Sequence, residues 1–251
     1  MGVVLLDLDP IVYRSGFAAQ KTLEGGVVEA EPVANALHNA KVQIEEILSA
    51  TRADAYVGYL SGSKNFRNAI AKLKPYKGNR DPSHKPVHYA ALREYLVDRW
   101  GAKVTDGIEA DDALSIEARD GGAVVIASID KDLDQIPGHH YNYLRKEFYA
   151  VSVKEAEMFF YRQVLTGDRV DNIGGCWKVG QVKAAKILDG YNNASVPNWR
   201  EIWLRVIDCY KESQFVPGCP YTELEAADVA LENAQLVKLQ EYEGHIWQPP
   251  K

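Results

Sequence analysis

Four clusters of acidic residues lie at or near the ends of apolar runs, and this placement constrains the fold more than any other feature of the chain. The eight acids concerned are Asp7, Glu109, Asp111, Asp112, Asp130, Asp132, Asp168 and Asp171. Short continuous apolar runs are typical of buried parallel strands, and ligands bind outside the carboxyl ends of such strands. The pattern therefore predicts that several strands deliver carboxylates to one edge of a sheet.

Apolar runs alternate with segments of helical spacing over the first 150 residues or so. Strands are predicted over residues 3–7, 54–60, 103–105 and 123–128, with one or two more between 140 and 151. Helices are predicted over residues 33–50 and 109–119, twice between 63 and 100, and over 154–166, 179–189, 198–213 and 222–240. Strands that alternate with helices favour an α/β protein with a parallel sheet, here followed by a helical region.

Each acid also has a simpler interpretation, because acidic residues commonly cap helix N-termini. Taken alone, Asp130 or Asp168 is better explained as a cap than as a metal ligand. Four clusters packed together without cations, however, would repel one another and raise their own pKa values. Mg²⁺ and Mn²⁺ prefer oxygen ligands, and two such ions can clamp an in-line displacement at phosphorus. The constellation therefore predicts a hard-metal site of the kind that cuts phosphodiesters.

A basic segment separates the second predicted strand from the third. The formal net charge of −6 argues against nucleic-acid binding, but seven basic residues and a single acid lie between positions 64 and 85. In the loop at residues 75–82, Lys77 and Arg80 can hold a phosphate while Tyr76 stacks on a base. Arg67 offers a further phosphate contact. The alternative interpretation is an ordinary solvated turn.

A glycine-rich segment joins two predicted helices between residues 167 and 188. Backbone N–H groups in such a loop, and at the start of the following helix, can face a phosphate. The residues that we expect to contact DNA here are Gly174, Gly175, Gly180, Lys178, Lys183 and Lys186. The simpler interpretation is a plain helix–turn–helix connection in which glycine is needed for tight turns.

The three cysteines are widely spaced and form no CxxC pair, which favours free thiols in a reducing compartment. The N-terminal run lacks the charged region of a signal peptide, and no apolar run is long enough for a membrane span. We therefore expect a cytoplasmic protein with no membrane partner. If the chain is phage-encoded, the compartment is the host cytoplasm.

The motifs occur in the order found in the 5′→3′ exonuclease/flap endonuclease family, which the chain resembles over about its first 190 residues. They are Asp7, YKGNR at 76–80, EADD at 109–112, SIDKD at 128–132 and GDRVDNI at 167–173. That family includes bacteriophage exonucleases and the 5′-nuclease domain of bacterial DNA polymerase I, and the C-terminal tail is most similar to the phage members. The resemblance implies a PIN-like, Rossmann-like nuclease core at residues 1–160 with a basic helical arch at 62–90. It further implies a helix-three-turn-helix DNA clamp and C-terminal helices at 161–251.

The resemblance also assigns roles to individual residues. It implies one metal held by Asp7, Glu109, Asp111 and Asp112, and a second held by Asp130, Asp132, Asp168 and Asp171. Lys77 and Arg80 match arch residues that engage the scissile phosphate, and Arg14 matches a basic residue near the cut. The implied cofactors are two Mg²⁺ ions, with Mn²⁺ as a substitute, and K⁺ on carbonyls of the clamp loop.

The implied activity is two-metal hydrolysis of DNA with 5′ ends or 5′ flaps by a monomeric enzyme. It would serve phage DNA replication or degradation of host DNA. One position departs from the family pattern, because Ser61 stands where many members carry an acid after the second strand. Either a hydroxyl or water substitutes in an outer shell, or Asp9 assists.

Two other functions remain open at this stage. The missing acid at Ser61 is compatible with a structure-specific DNA-binding protein that does not cut. The sequence DLDPI at residues 7–11 loosely resembles haloacid-dehalogenase-type phosphatases, in which the first Asp is a nucleophile. That interpretation requires Thr or Val where Ile11 stands, and it leaves the acids at 109–112 unexplained.

Overall fold

The computed structural model describes residues 2–81, 83–120, 122, 124–191, 197–222 and 224–251. The chain divides into two compact units, one of residues 1–65 and 81–151 and the other of residues 66–80 and 152–251. Three residues of predicted elements lie outside the described part: Pro82 of the basic loop, Ala123 of the fourth predicted strand and Glu223 of the last predicted helix.

The elements follow one another as strands and helices in the first unit and mainly as helices in the second. In chain order they are β1 (Val3–Asp7), α1 (Asp9–Ala18), β2 (Gln20–Thr22), β3 (Val28–Ala30), α2 (Val33–Thr51), β4 (Ala55–Leu60), α3 (Arg67–Ile70), α4 (Tyr89–Trp100), β5 (Lys103–Val104), α5 (Ala110–Asp120), β6 (Val124–Ala127), β7 (Gly138–Asn142), β8 (Glu147–Val151), α6 (Val153–Thr166), α7 (Gln181–Leu188), α8 (Trp199–Gln214) and α9 (Ala226–Val237). Short 3₁₀ turns follow β6 and α7, at Lys131–Gln135 and Asp189–Tyr191.

A six-stranded sheet of order β5-β4-β1-β6-β7-β8 organises the first unit. All its pairs are parallel except β7 with β8, which form an antiparallel hairpin. Because β1, β4, β6 and β7 run in one direction, their carboxyl ends share an edge of the sheet. The predicted parallel α/β sheet is confirmed. The sequence did not reveal α1 or the separate two-stranded hairpin β2–β3, which are too short for a clear periodicity.

The apolar runs form strands because both faces of the sheet centre are buried. Val4, Leu5 and Leu6 of β1 are completely enclosed, and each such side chain stabilises the fold by about 1.5–3 kcal/mol. Helices α1, α2 and α4 contribute Ile11, Ile44 and other apolar residues to the same buried cluster. This packing fixes the position of β1, and with it the position of the acid at its end.

The second unit has its own core, built mainly from α6, α8 and α9. Phe160, Val206 and Ala230 are fully buried in that core. Helix α6 begins with a capping box in which Ser152 and Glu155 exchange hydrogen bonds with each other's backbone N–H groups. Capping of this kind satisfies N–H groups that have no partner within the helix.

Residues 66–80 belong to the second unit because Arg67 anchors them there. Its side chain is 2% exposed, and its guanidinium donates to the carbonyls of Leu236 (2.8 Å) and Lys238 (2.9 Å) at the end of α9. Arg67 is therefore a structural residue, and its expected contact with a DNA phosphate is not compatible with this burial. The units also differ from the expected division, since the boundary falls after residue 151 rather than 160 and since 66–80 leaves the first unit.

Replacing Arg67 by Met should lower the free energy of unfolding by about 2–4 kcal/mol, because two buried carbonyls lose a charged donor. Urea unfolding followed by circular dichroism measures the change. Arg99→Met is the matched control, since Arg99 is exposed on α4 and its replacement should change stability by less than about 0.5 kcal/mol. Equal effects of the two substitutions would contradict the anchoring role of Arg67.

Candidate active site

Two of the predicted acids meet at the edge of the sheet through one serine. Asp7 ends β1 and is 2% exposed. The Ser128 hydroxyl donates to Asp7 Oδ2 at 2.6 Å and accepts from the backbone N–H of Asp130 at 2.9 Å. Since β1 and β6 are adjacent parallel strands, their ends bring Asp7 and Asp130 to the same place.

The buried carboxyl group of Asp7 has an unfavourable negative charge unless a proton or a cation binds to it. Its pKa is raised to about 8, mainly by burial and also by the charges of Asp9 and Asp130, while the hydrogen bond from Ser128 opposes the rise. A carboxylate in this environment needs either a proton or a cation at neutral pH. Because the surrounding donors are oxygen atoms, the arrangement fits a hard divalent cation.

The loop after β6 also uses its acids locally. Asp130 caps the 3₁₀ turn by accepting from the backbone N–H of Asp132 at 2.9 Å. The Asp132 carboxylate is 3.6 Å from the ammonium of Lys131. The capping interpretation of Asp130 is thus correct, and it leaves the second carboxylate oxygen of Asp130 to other partners.

The acids at 109–112 lie around the first turn of α5. Asp111 and Asp112 lie in that turn, and Asp112 is completely buried and accepts from the Glu109 backbone N–H at 3.1 Å. The Ser61 hydroxyl accepts from the Ala110 backbone N–H at 2.9 Å. Ser61 therefore stabilises the start of α5 directly, which places its side chain beside the acid cluster.

The Asp9 carboxylate lies beside Ser61. Its carboxylate accepts from the Ser61 backbone N–H at 3.0 Å and from Arg93 at 3.2 Å, while Arg93 also donates to the Ser61 carbonyl at 2.8 Å. After burial, the charge of Asp9 contributes to the raised pKa of Asp7. Sequence reasoning missed Arg93, because a single Arg on α4 carries no motif.

Arg14, the other basic residue expected near the cut, lies on α1 five residues after Asp9. Its side chain is exposed, and its Nε donates to Gln43 Oε1 at 3.4 Å. Its positive charge also acts on the hydroxyl of Tyr143, whose pKa it lowers against the effects of burial and of Asp7. The role expected for Arg14 near the cut stays a prediction.

Within the residues that the structure describes, no group of three or more His, Cys, Asp or Glu side chains is arranged to hold one ion. The acids instead form smaller sets that share serine hydroxyls and backbone N–H groups. The two complete ligand sets implied by the resemblance therefore stay a prediction.

In the second unit, three side chains of the YKGNR loop contact the carboxylate of Asp171. The Tyr76 hydroxyl donates to it at 2.7 Å, Arg80 donates at 2.7 Å, and the Lys77 ammonium lies 3.6 Å away. Tyr76 is 8% exposed, so it is a core residue and not the open stacking platform that the sequence predicted. Lys77 and Arg80 converge on one anionic group, which is the arrangement that a phosphate requires.

Asp168 organises the chain that leads into the glycine-rich loop. Its backbone exchanges hydrogen bonds with Ile173, and its carboxylate accepts from the N–H groups of Val170 (2.7 Å) and Asp171 (3.2 Å). Asp168 thus closes a tight turn, and its two N–H bonds are those of a capping residue.

The glycine-rich loop presents one buried and several exposed groups. Gly175 has φ +64° and is packed so closely that an added Cβ would lie 2.3 Å from the Gly167 nitrogen. Its N–H donates to Asn233 at 3.0 Å, so this N–H is not free for the phosphate contact that we expected. The remaining residues predicted to contact DNA are all exposed: Gly174, Lys178, Gly180, Lys183 and Lys186.

No helix of the described chain is long and apolar enough to cross a membrane.

No protein-family model matches the chain. A 5′-3′ exonuclease of Buchnera aphidicola is 27% identical over 253 residues, which cover 92% of this chain and 80% of that protein. DNA polymerase I of Thermus aquaticus is 29% identical over 211 residues, covering 76% of this chain. This chain spans only 24% of the polymerase.

Solved structures share the fold over nearly the whole chain. Bacteriophage T5 5′-exonuclease with bound zinc ions aligns with a TM-score of 0.63 at 20% identity, covering 95% of this chain and 90% of that protein. A T5 flap endonuclease complex with DNA and metal ions aligns with a TM-score of 0.60 at 19% identity, covering 95% and 89%. The resemblance of this chain to the 5′→3′ exonuclease/flap endonuclease family, predicted from its motifs, is therefore confirmed, together with the PIN-like α/β fold.

Proposed function

We propose that this protein is a metal-dependent 5′→3′ nuclease that hydrolyses phosphodiesters in DNA with 5′ ends or 5′ flaps. The observation that carries the proposal is the buried Asp7 carboxylate, held by Ser128 beside Asp130 and Asp9 at the carboxyl edge of the sheet. The relatives named 5′-3′ exonuclease and DNA polymerase I support it. The role in phage DNA replication or host DNA degradation is part of the same proposal.

The residues would divide the chemistry as follows. Asp7, Glu109, Asp111 and Asp112 would hold one divalent ion, and the second set is Asp130, Asp132, Asp168 and Asp171. Bound Mg²⁺, or Mn²⁺ in its place, would supply an activated water and charge stabilisation for the leaving oxygen. Lys77 and Arg80 neutralise charge on the phosphate, as their convergence on Asp171 supports. Arg14 adds a positive charge near Asp7.

We assign the grip on DNA to the helix-three-turn-helix region of the second unit. Its exposed residues Gly174, Lys178, Gly180, Lys183 and Lys186 would contact the DNA backbone. A backbone held by such groups is read without regard to sequence. Carbonyls of the same loop would hold K⁺, and the enzyme would act as a monomer.

The alternatives make different predictions for a single assay. A DNA-binding protein that does not cut would shift 5′-labelled DNA without shortening it, and a small-molecule phosphatase would release phosphate from a monoester without cleaving DNA. The DNA-binding alternative was suggested by the absence of an acid at position 61. Asp9 lies beside Ser61 and offers a carboxylate there, which makes this alternative less attractive. Product mapping on 5′-flap, nicked and blunt duplexes with Mg²⁺, Mn²⁺ or EDTA separates all three.

Replacing Asp130 by Ala should lower cleavage by more than about a hundredfold, because removal of a ligand should exceed the effect of removing a supporting group. DNA binding should stay nearly unchanged. Rates on 5′-labelled flap DNA and gel shifts in EDTA give the two readouts. Asp98→Ala on the exposed face of α4 is the matched control and should cut normally. Undiminished turnover of the Asp130 variant would refute the proposed metal site.

Replacing Lys77 or Arg80 by Ala should lower kcat/KM by about a hundredfold, because each cation stabilises charge that develops on the phosphate. The slope of log affinity against log salt should fall by nearly one for each phosphate that the protein no longer neutralises. Lys72→Ala removes an exposed lysine of the same basic segment and serves as the control. If all three variants behave alike, Lys77 and Arg80 act only through general charge.

Moving the acid from position 9 to position 61 tests whether Asp9 takes the place of the acid that many family members carry at position 61. Asp9→Asn should reduce cleavage about tenfold or more, as removal of a supporting group at a metal does. Adding Ser61→Asp should restore part of the activity, since a carboxylate there can still accept from the Ala110 N–H. Circular dichroism and cleavage rates of both variants and of Ser61→Asp alone are compared. A double variant no better than Asp9→Asn would argue against the exchange.

A further inference from the structure

Two asparagine side chains fasten the YKGNR loop of the second unit to the turn that Asp168 closes. The Asn79 amide donates to the Arg169 carbonyl at 2.7 Å. The Asn172 amide donates in the opposite direction, to the Pro75 carbonyl, at 2.8 Å. Each loop thus supplies one amide donor to the backbone of the other, and we call these two hydrogen bonds the asparagine link.

The backbone at the asparagine link adopts conformations that side chains seldom tolerate. Lys77 has φ +53° and Asn172 has φ +62°. Such conformations are uncommon outside glycine and persist where surrounding contacts hold them. Here the Lys77 N–H donates to the Asp171 carbonyl at 2.9 Å, and the Pro75 carbonyl also accepts from the Gly78 N–H at 3.0 Å. The backbones of both loops are therefore fixed where they meet.

Asn79 stands in the chain between the two cations that the proposed function places on the phosphate. Arg80 donates to Asp171 at 2.7 Å, and the Lys77 ammonium lies 3.6 Å from the same carboxylate. The Arg80 side chain is 50% exposed, so its guanidinium is accessible to a ligand while the backbone that carries it is held. Groups that act on a reacting phosphate must be held to within about 0.5 Å, which long side chains achieve only on a fixed backbone.

We propose that Asn79 and Asn172 are positioning residues for the cleavage reaction, because the asparagine link fixes where Lys77 and Arg80 meet the phosphate. The two asparagines act through these cations and not on the reacting atoms. The inference rests on the proposed function, since it needs both cations on the phosphate. It gives a role to two uncharged residues, one in YKGNR and one in GDRVDNI.

The test compares Asn79→Ala and Asn172→Gly with Asn68→Ala, which removes an exposed amide from α3 of the same unit. Glycine is chosen at position 172 because it adopts positive φ without strain, so that only the amide is lost. Both link variants should lower kcat on 5′-labelled flap DNA about tenfold or more, because misplacement by about 1 Å can cost about a hundredfold. Asn68→Ala should cut normally.

DNA affinity separates misplaced cations from missing ones. The link variants keep Lys77 and Arg80, so their affinity for flap DNA in EDTA and its dependence on salt should stay nearly unchanged. KM should also change little, so that the loss falls on kcat. Lys77→Ala and Arg80→Ala, by contrast, should reduce the salt dependence. A link variant that loses DNA affinity as these two do would overturn the positioning role.

Melting in EDTA separates positioning from a purely structural role. Both bonds of the asparagine link are exposed to water, so each single variant should melt within about 2–4 °C of the unaltered protein. Asn79→Ala combined with Asn172→Gly should lose less activity than the product of the two single effects, because both remove the same link. A larger drop in melting temperature that accounts for the lost turnover would overturn the inference.

A protein without the two cations distinguishes failure of this inference from failure of the proposed function. Adding Asn79→Ala to Lys77→Ala/Arg80→Ala should cause no further loss, because the link then has no cation to position. An equal loss with and without the cations would refute the positioning role. If the link variants cut normally while Lys77→Ala/Arg80→Ala is slow, the inference alone fails. If Lys77→Ala/Arg80→Ala itself cuts normally, the proposed phosphate contact fails, and the inference fails with it.

Discussion

The hydrogen bond from the Ser128 hydroxyl to Asp7 is the contact on which the arrangement of the first unit's acids depends. It joins the end of β1 to the loop after β6, and the same oxygen accepts from the Asp130 N–H. The contact exists because the two strands are parallel neighbours in the centre of a buried sheet. Apolar packing thus fixes the positions of these acids, although the burial of a carboxylate is itself unfavourable.

Capping and function are not competing roles for these acids. Asp112 and Asp168 each accept backbone N–H groups nearby, as ordinary capping residues do. A carboxylate that is fixed by such bonds presents its remaining oxygen lone pairs in a defined direction, which suits a ligand that must not move. Asp171 is held differently, by a tyrosine hydroxyl and two cations, so the YKGNR loop and the glycine-rich segment share one anchor.

Local patterns in the sequence predicted most of the strands and helices, because apolar runs and helical spacing reflect burial directly. The errors arose where a residue's role depends on a distant partner. Arg67 belongs to a basic run and was expected on a phosphate, yet its partners are carbonyls 169 and 171 positions away. Asp9 was considered as a helper beside Ser61, but its partner Arg93 was not predicted, since 84 positions separate the two residues and Arg93 carries no motif. The meeting of Asp7 and Asp130 could be predicted, because the ends of adjacent parallel strands lie at one edge of the sheet.

One group at this edge is unfavourable for the folded chain by itself. Asp7 is a buried carboxyl group whose pKa is raised to about 8. The hydrogen bond from Ser128 offsets the effect of burial only in part, and a bound cation would offset more of it. Proteins tolerate an unfavourable buried charge where a ligand binds. Binding of the ion then gains the free energy that the uncompensated carboxylate costs the ion-free chain. The unfavourable burial of Asp7 therefore supports the proposed metal site.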